Sequence, residues 1–231
     1  MITSRDNPKL KLVRRLQARA QRHRLGLFVC EGEDLVEAAV AAGLEPVDLL
    51  VAGEDVEPEL LAEVSTLGHP PRVLAVFRTA DLPPPAPRPV GLALWHVGDP
   101  GNLGTLVRSA DAFGGFVALS RGCADPTGGK ALRASAGAIF RVPLALFDDA
   151  PGRRVALAAH GGRPLDELEL GGDGPTLFVL GSEREGLPAE VLERCDEIAT
   201  IPTPGPAESL NVAAAGAIAL YAWSSRVRSG H

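Results

Sequence analysis

The chain has 231 residues, 45% hydrophobic and 23% charged, a composition that excludes a disordered or fibrous protein and allows a real core. At about 100–200 residues per domain, this length fits one large or two small domains, and two are expected. Net charge is −6, which taken whole argues against a polyanionic partner. The distribution argues otherwise: residues 1–28 carry eight Lys and Arg against one acid, leaving 15 basic and 28 acidic side chains for the rest. A basic arm ahead of an acidic body points to nucleic acid, and on charge alone it fits a solvated helix face equally well.

Asn7-Pro8 predicts the start of a helix in which Leu10, Val13, Leu16 and Ala20 share one face and Lys11, Arg15, Arg19 and Arg22 the opposite one. A strand at Leu27 to Cys30, a helix from Glu33 to Ala42 closed by Gly43, and a strand at Val47 to Ala52 follow. A helix at Pro58 to Thr66 and a strand at Arg72 to Phe77 complete a small α/β unit, assigned to residues 1–80. Residues 81–89 hold five prolines and read as a stiff, extended linker. In residues 90–231, strand-like runs at Val90 to Val97, Phe116 to Leu119, Val155 to Ala159, Thr176 to Leu180 and Glu197 to Ile201 alternate with helices. The helices are expected at Leu103 to Phe113, Pro188 to Arg194 and Ser209 to Arg226. This alternation predicts an α/β domain built on a mostly parallel sheet with helices on both faces.

The longest apolar stretch, Val212 to Trp223, falls short of the roughly 18–20 residues a membrane helix needs. The basic N-terminus has no apolar core or cleavage site of a secretory signal, so the protein is expected in the cytoplasm, with no membrane partner. Cys30, Cys123 and Cys195 lack metal-ligand or redox spacing and read as small buried hydrophobes.

Three Gly- and Pro-rich segments follow strands and lead into helices, the place where open α/β sheets collect ligands. The first, His96 to Gly114, carries Asn102, placed to cap a helix, and Arg108 about two turns in. Its Gly98, Gly101 and Gly104 match only half of a dinucleotide fingerprint. The second, Leu177 to Leu187, has Gly181 and Gly186 in a turn beside Glu183 and Glu185. In the third, Ile201 to Gly216, Ser209 is expected to cap a helix with Asn211 in its first turn. That helix is apolar nearly all round and belongs in the core or in a subunit interface.

Together the three segments resemble the SpoU branch of the SPOUT RNA methyltransferases. The first motif is similar to Asn102-x-Gly104-x-x-x-Arg108-x-Ala110 with Phe113-Gly114, the second to Leu180-Gly181-Ser182-Glu183-x-x-Gly186-Leu187. The third is similar to Ile201-Pro202 with Ser209-Leu210-Asn211-Val212. Asp125-Pro126 through Gly137 resembles the stretch between the first two motifs, and residues 3–43 resemble the family's N-terminal substrate-binding domain. Thr203 stands where the family usually has Met, and Ala213 where a small hydroxyl residue is common.

The resemblance implies a deep trefoil knot, a homodimer with the active site near its interface, and S-adenosylmethionine as cofactor, without a metal. Backbone at Gly181, Ile201 and Leu210 is expected to contact the cofactor. The reaction implied is methylation of a ribose 2′-hydroxyl in structured RNA, ribosomal RNA being favoured over transfer RNA. A non-catalytic dimeric RNA-binding protein and a base methyltransferase of the same fold are the alternatives. The family's role for Arg108 is to activate the hydroxyl. A guanidinium is far too weak an acid to lose its proton at neutral pH, so Arg108 is read as a clamp on phosphate and hydroxyl. The phosphate or a transiently neutral Arg108 then takes the proton. Asn102, Ser209 and Asn211 orient the ribose, its phosphate and the Arg, while Glu183 fixes the loop or that Arg. Lys9, Lys11, Arg15, Arg19 and Arg22 are expected to hold RNA phosphates.

Overall fold

The computed structural model describes residues 1–206 and 208–229. The basic segment folds as two helices, α1 (Pro8–Leu16) and α2 (Arg19–Leu25). Asn7 opens α1 by accepting the Lys9 N–H, and Pro8 sits in the first turn, where a missing N–H costs nothing. The single helix expected here breaks at Gln17 and Ala18. Arg22 turns back and donates to the carbonyls of Leu16 and Gln17 at 2.8 and 2.9 Å, capping the end of α1. Gly26, with φ 63, then closes α2 in a left-handed conformation.

Strand β1 (Leu27–Glu31), helix α3 (Glu33–Ala41), strand β2 (Asp48–Val51), helix α4 (Pro58–Val64) and strand β3 (Val73–Arg78) form the N-terminal unit. Its antiparallel sheet has the order β1-β3-β2. The buried carboxylate of Glu31 is satisfied by Gln17, Ser65 and both the backbone and hydroxyl of Thr66, which ties α1 and the end of α4 to the sheet.

Beyond the proline segment, the order is β4 (Val90–Leu94), α5 (Pro100–Ala112), β5 (Phe116–Leu119), α6 (Gly129–Ser135), β6 (Leu144–Leu146), β7 (Arg153–Leu157) and β8 (Arg163–Pro164). Then come β9 (Thr176–Leu180), α7 (Ala189–Leu192), β10 (Glu197–Thr200) and α8 (Val212–Ser229). Seven parallel strands make one sheet, ordered β6-β5-β4-β9-β7-β10-β8. The chain leaves β4 toward β5 on one side and β9 toward β10 on the other, so β4 and β9 frame a topological switch point. Strand β10 lies between β7 and β8, whose connection crosses it so closely that a Cβ on Gly162 would lie 2.6 Å from the Ala199 carbonyl carbon. The β7–β8 connection is thus packed directly on β10 at this end of the sheet. Strands β6 and β8 and helix α6 are too short to carry a readable period.

The proline segment forms neither helix nor strand between residues 83 and 88, yet the two sheets do not stand apart. Phe28 of β1 stacks on Phe140 at 6.3 Å, and Ala38 of α3 packs so tightly on Gly137 that a Cβ there would come within 2.6 Å. One buried cluster runs through both units. Arg22 adds the polar part of this junction. Its Nε and Nη2 donate to Asp125 Oδ2 at 2.9 and 2.6 Å, and both side chains are nearly buried, at 8% and 7% exposure. Burial pushes the Asp125 carboxyl up, but hydrogen bonds from Thr127 and Arg22 outweigh it and hold the group below the ordinary range.

The expected placement of Arg22 on an RNA-facing surface is therefore corrected. The break after α1 rotates this residue inward, where a buried carboxylate claims the charge. Arg22→Ala, which leaves Asp125 buried and alone, is expected to cost about 3–5 kcal/mol in denaturant unfolding, and the Arg22→Met/Asp125→Leu pair much less.

Candidate active site

The three glycine-rich segments meet at the switch point. Helix α5 starts a turn earlier than expected because Asp99, not Asn102, caps it, accepting from the N–H groups of Gly101 and Asn102 at 2.7 and 2.9 Å. This leaves the Asn102 amide free for longer-range contacts. Its Nδ2 donates to Glu183 Oε1 at 2.9 Å and its Oδ1 accepts from Asn211 Nδ2 at 3.1 Å. Glu183 also accepts from the N–H groups of Asp99 at 3.2 Å and Gly98 at 3.4 Å. Asn211, rather than Ser209, caps α8, accepting from the Ala213 and Ala214 N–H groups at 2.9 and 3.3 Å. One bonded chain, Asn211 to Asn102 to Glu183, thus joins residues far apart in sequence.

The turn after β9 is built around close backbone contact. Ser182 and Gly186 exchange N–H···O bonds at 3.2 and 3.1 Å, and a Cβ on Gly181 would lie 2.1 Å from the Gly186 carbonyl carbon. Gly186 has φ 67, which a side chain would strain. Helix α5 is held as tightly from behind. A Cβ on Gly104 would meet the Ala131 carbonyl at 2.5 Å, so α5 and α6 touch backbone to backbone.

Beneath this network lies a cavity of about 590 Å³. Its wall takes Leu157 to Ala159 after β7, Leu180 to Leu187 after β9, Ile201 and Thr203 after β10, and Glu208 to Val212 before α8. Gly181, Ile201, Leu210 and Ser209 all line it. Ser209 is exposed and makes no hydrogen bond to a described residue. Arg108 is not among the lining residues. It is exposed on α5, with no hydrogen bond or ion pair to any described residue.

On the N-terminal helices, Lys9 pairs with Asp48 at 2.6 Å and Lys11 with Asp6 at 2.9 Å. Arg19 donates to the Cys123 carbonyl at 3.0 Å while staying exposed, and Arg15 is exposed with no bond to a described residue. His96 at the site's rim, with φ 53, carried no sequence signal, because its backbone conformation is set by neighbours distant in the chain.

Partial burial pushes the Glu183 carboxyl up, yet the hydrogen bonds from Asn102, Asp99 and Gly98 prevail and hold it below its ordinary value of 4.5. A carboxyl lowered on folding stabilises the folded form above the unfolded pKa and loses that effect as pH falls through the folded one. Amide-exchange protection at Gly98 and Asp99 is therefore expected to hold from neutral pH down to 4.5 and to fall only in more acid solution. Glu183→Gln is expected to reduce it at neutral pH and to remove its dependence on acid.

Residues 89–221 match the family model described as SpoU rRNA Methylase family, and residues 7–77 match the MRM3-like substrate binding domain. The 23S rRNA (guanosine(2553)-2′-O)-methyltransferase RlmP of Bacillus subtilis is 32% identical, over 95% of this chain and 97% of its own. A tRNA/rRNA methyltransferase of Synechocystis, named as uncharacterized, is 34% identical over 95% and 92%. The SpoU methyltransferase AviRb of Streptomyces viridochromogenes, solved in complex with AdoMet, superposes with a TM-score of 0.86 at 26% identity, covering 97% of this chain and 100% of that one. The AdoMet-bound rRNA methyltransferase of Sinorhizobium meliloti does so with 0.86 at 27% identity, covering 98% and 97%. With the seven-stranded parallel sheet and the joined loops already in place, these matches settle the lineage: the chain belongs to the SpoU rRNA methylase family and is a methyltransferase.

Proposed function

We propose that this enzyme transfers the methyl group of S-adenosylmethionine to a ribose 2′-hydroxyl in a structured RNA of the cytoplasm, ribosomal RNA being favoured over transfer RNA. The reading rests on the bonded chain Asn211–Asn102–Glu183 at the lip of the cavity. The cavity's chemistry fits that cofactor. Leu157, Leu180, Ile201 and Leu210 offer apolar wall for a purine, and Glu183, Glu185 and Glu208 oppose the single Arg184, a negative surplus suited to a sulfonium. The two AdoMet-bound neighbours support the same cofactor, and the activity named for RlmP supports the ribose oxygen.

When bound, S-adenosylmethionine supplies an electrophilic methyl group; this chain has to align the acceptor oxygen and dispose of its proton. Asn102 and Asn211 present amides fixed by each other, and Ser209 adds a free hydroxyl from the same loop. Arg108 is the clamp on the acceptor's phosphate and hydroxyl, and the phosphate takes the proton, because a guanidinium stays charged at neutral pH. Lys9, Lys11, Arg15 and Arg19 hold more distant phosphates.

Arg108 stands apart from the cavity within one chain, and a homodimer closes that gap. On α8, Ala214, Ile218 and Tyr221 form an exposed apolar stripe, with Ile218 at 39% and Tyr221 at 60% exposure. Their i, i+4, i+7 spacing makes one face, and α8 packs against α5, which carries Arg108. A second copy docked on this stripe brings its own residues to the site.

Incubation with labelled S-adenosylmethionine and total RNA, followed by nucleoside analysis, is expected to place the label on a ribose oxygen; label on a base would overturn the reading. Arg108→Lys is expected to lower kcat at neutral pH by about 10²-fold or more, as loss of a positioned bidentate group does, with cofactor affinity unchanged. Ile218→Glu with Tyr221→Glu is expected to halve the mass seen by sedimentation and to abolish transfer.

A further inference from the structure

Beside the cavity lies a second hollow of about 450 Å³, walled by His96, Gly98 and Asp99 after β4 and by Ser182 to Glu185 after β9. Glu183 belongs to both spaces, so whatever occupies the hollow lies next to the methyl-transfer site. His96 has no part in the machinery described above, yet its backbone is held at φ 53, where non-glycine residues are uncommon. Three contacts enforce this. Its N–H donates to Ser120 Oγ at 3.0 Å, and its ring stacks on Trp95 with 4.6 Å between centroids and 5° between planes. Gly122 is so close that a Cβ there would lie 3.0 Å from ring Cδ2 and 3.3 Å from Cγ and Nε2. Trp95 is in turn fixed edge-on by Phe147 at 5.2 Å. Backbone strain persists only where surroundings over-determine it, and it clusters at ligand clamps. The product here is an exposed imidazole, rigidly positioned, with one donor and one acceptor nitrogen in its neutral form.

The other groups in the hollow define its occupant. Asp99 is paired with Lys130 at 2.9 Å, and Glu183 is engaged by Asn102. The Glu185 carboxylate and the Arg184 guanidinium bond to no described residue. Three carboxylates against one guanidinium disfavour a phosphate. A free carboxylate does accept from the amino group of a base, as Glu or Asp does from cytosine N4, and a free guanidinium stacks on a base plane.

We propose that this hollow is a base subsite, in which one unpaired, amino-bearing base of the RNA is read by His96 and Glu185, so that the hollow selects the nucleotide presented for methylation. His96 is a positioning and specificity residue here, and the proposal rests on the RNA reading above.

The test uses the full chain saturated with S-adenosylmethionine and short single-stranded oligonucleotides of cytidine, adenosine or uridine, with affinity read by fluorescence anisotropy. His96→Gly removes the imidazole while keeping a residue at ease with positive φ, and His96→Asn keeps a donor and an acceptor there. The parent is expected to favour cytidine and adenosine over uridine by about tenfold, the scale of one charge-assisted hydrogen bond. His96→Gly should bring both down to the uridine level with no loss of thermal stability, and His96→Asn should restore part of the difference. A parent without preference, or a His96→Gly protein that keeps it, overturns the subsite. Methyl transfer measured on the same preparations separates the two readings. Loss of preference in His96→Gly with no ribose methylation by the parent would leave the subsite standing and end the reaction assignment; ribose methylation with the preference unmoved would do the reverse.

Discussion

The site depends on a single neutral amide. Asn102 has a donor and an acceptor on one short side chain, so it gives a hydrogen to Glu183 and takes one from Asn211 at the same time. An acid at this position would set a second negative charge against Glu183, and a residue without an acceptor would release Asn211. Asn102 is available because Asp99 takes over the cap of α5, reinforced by Lys130, which also holds the Asp99 carboxyl below its usual range. Each loop end would otherwise expose free amide groups. Together they satisfy one another and stand fixed around the cavity.

The same economy governs the junction between the two units. A proline-rich linker alone leaves two domains free to move, but the buried pair Arg22–Asp125 and the stacked Phe28 and Phe140 join them into one core. Desolvating a charge pair is expensive, and it persists here with Thr127 satisfying the carboxylate and two backbone carbonyls satisfying the guanidinium. The consequence is a fixed distance between the N-terminal helices and the switch point. Arg19 makes the connection visible, reaching from α2 to the carbonyl of Cys123 in the turn that also holds His96. The N-terminal helices are thereby set at a constant position relative to the cavity and the hollow beside it.

Close packing of backbone explains why glycine sits where it does in this site. At Gly181 the nearest atoms are main chain, and at Gly104 they are the Ala131 carbonyl, the Ser135 amide and the Ala134 Cβ fixed to its backbone, none of which can yield, so even a methyl group would force whole segments apart. Gly216 does the same for α8, with Leu106 of α5 filling the space a Cβ would need. Helices α5, α6 and α8 are thus drawn together at the switch point by small residues.

Much was legible in the chain itself. Apolar period and turn residues defined β1, α3, β5 and β9 nearly to the residue, the proline run lies between the two sheets, and Asn102, Glu183 and Asn211, singled out among glycines, are joined by hydrogen bonds in the fold. Such features are local, carried by spacings of two to seven residues that any folded context preserves. The tertiary structure alone decided which residue caps each helix, because Asp99 and Asn102, or Ser209 and Asn211, are equally good caps until a distant partner claims one of them. It also turned Arg22 from surface to interior, left Arg108 away from the cavity of its own chain, and forced His96 into a left-handed conformation. In each case the deciding partner lies tens of residues away in sequence, and only the packed sheet brings it within reach.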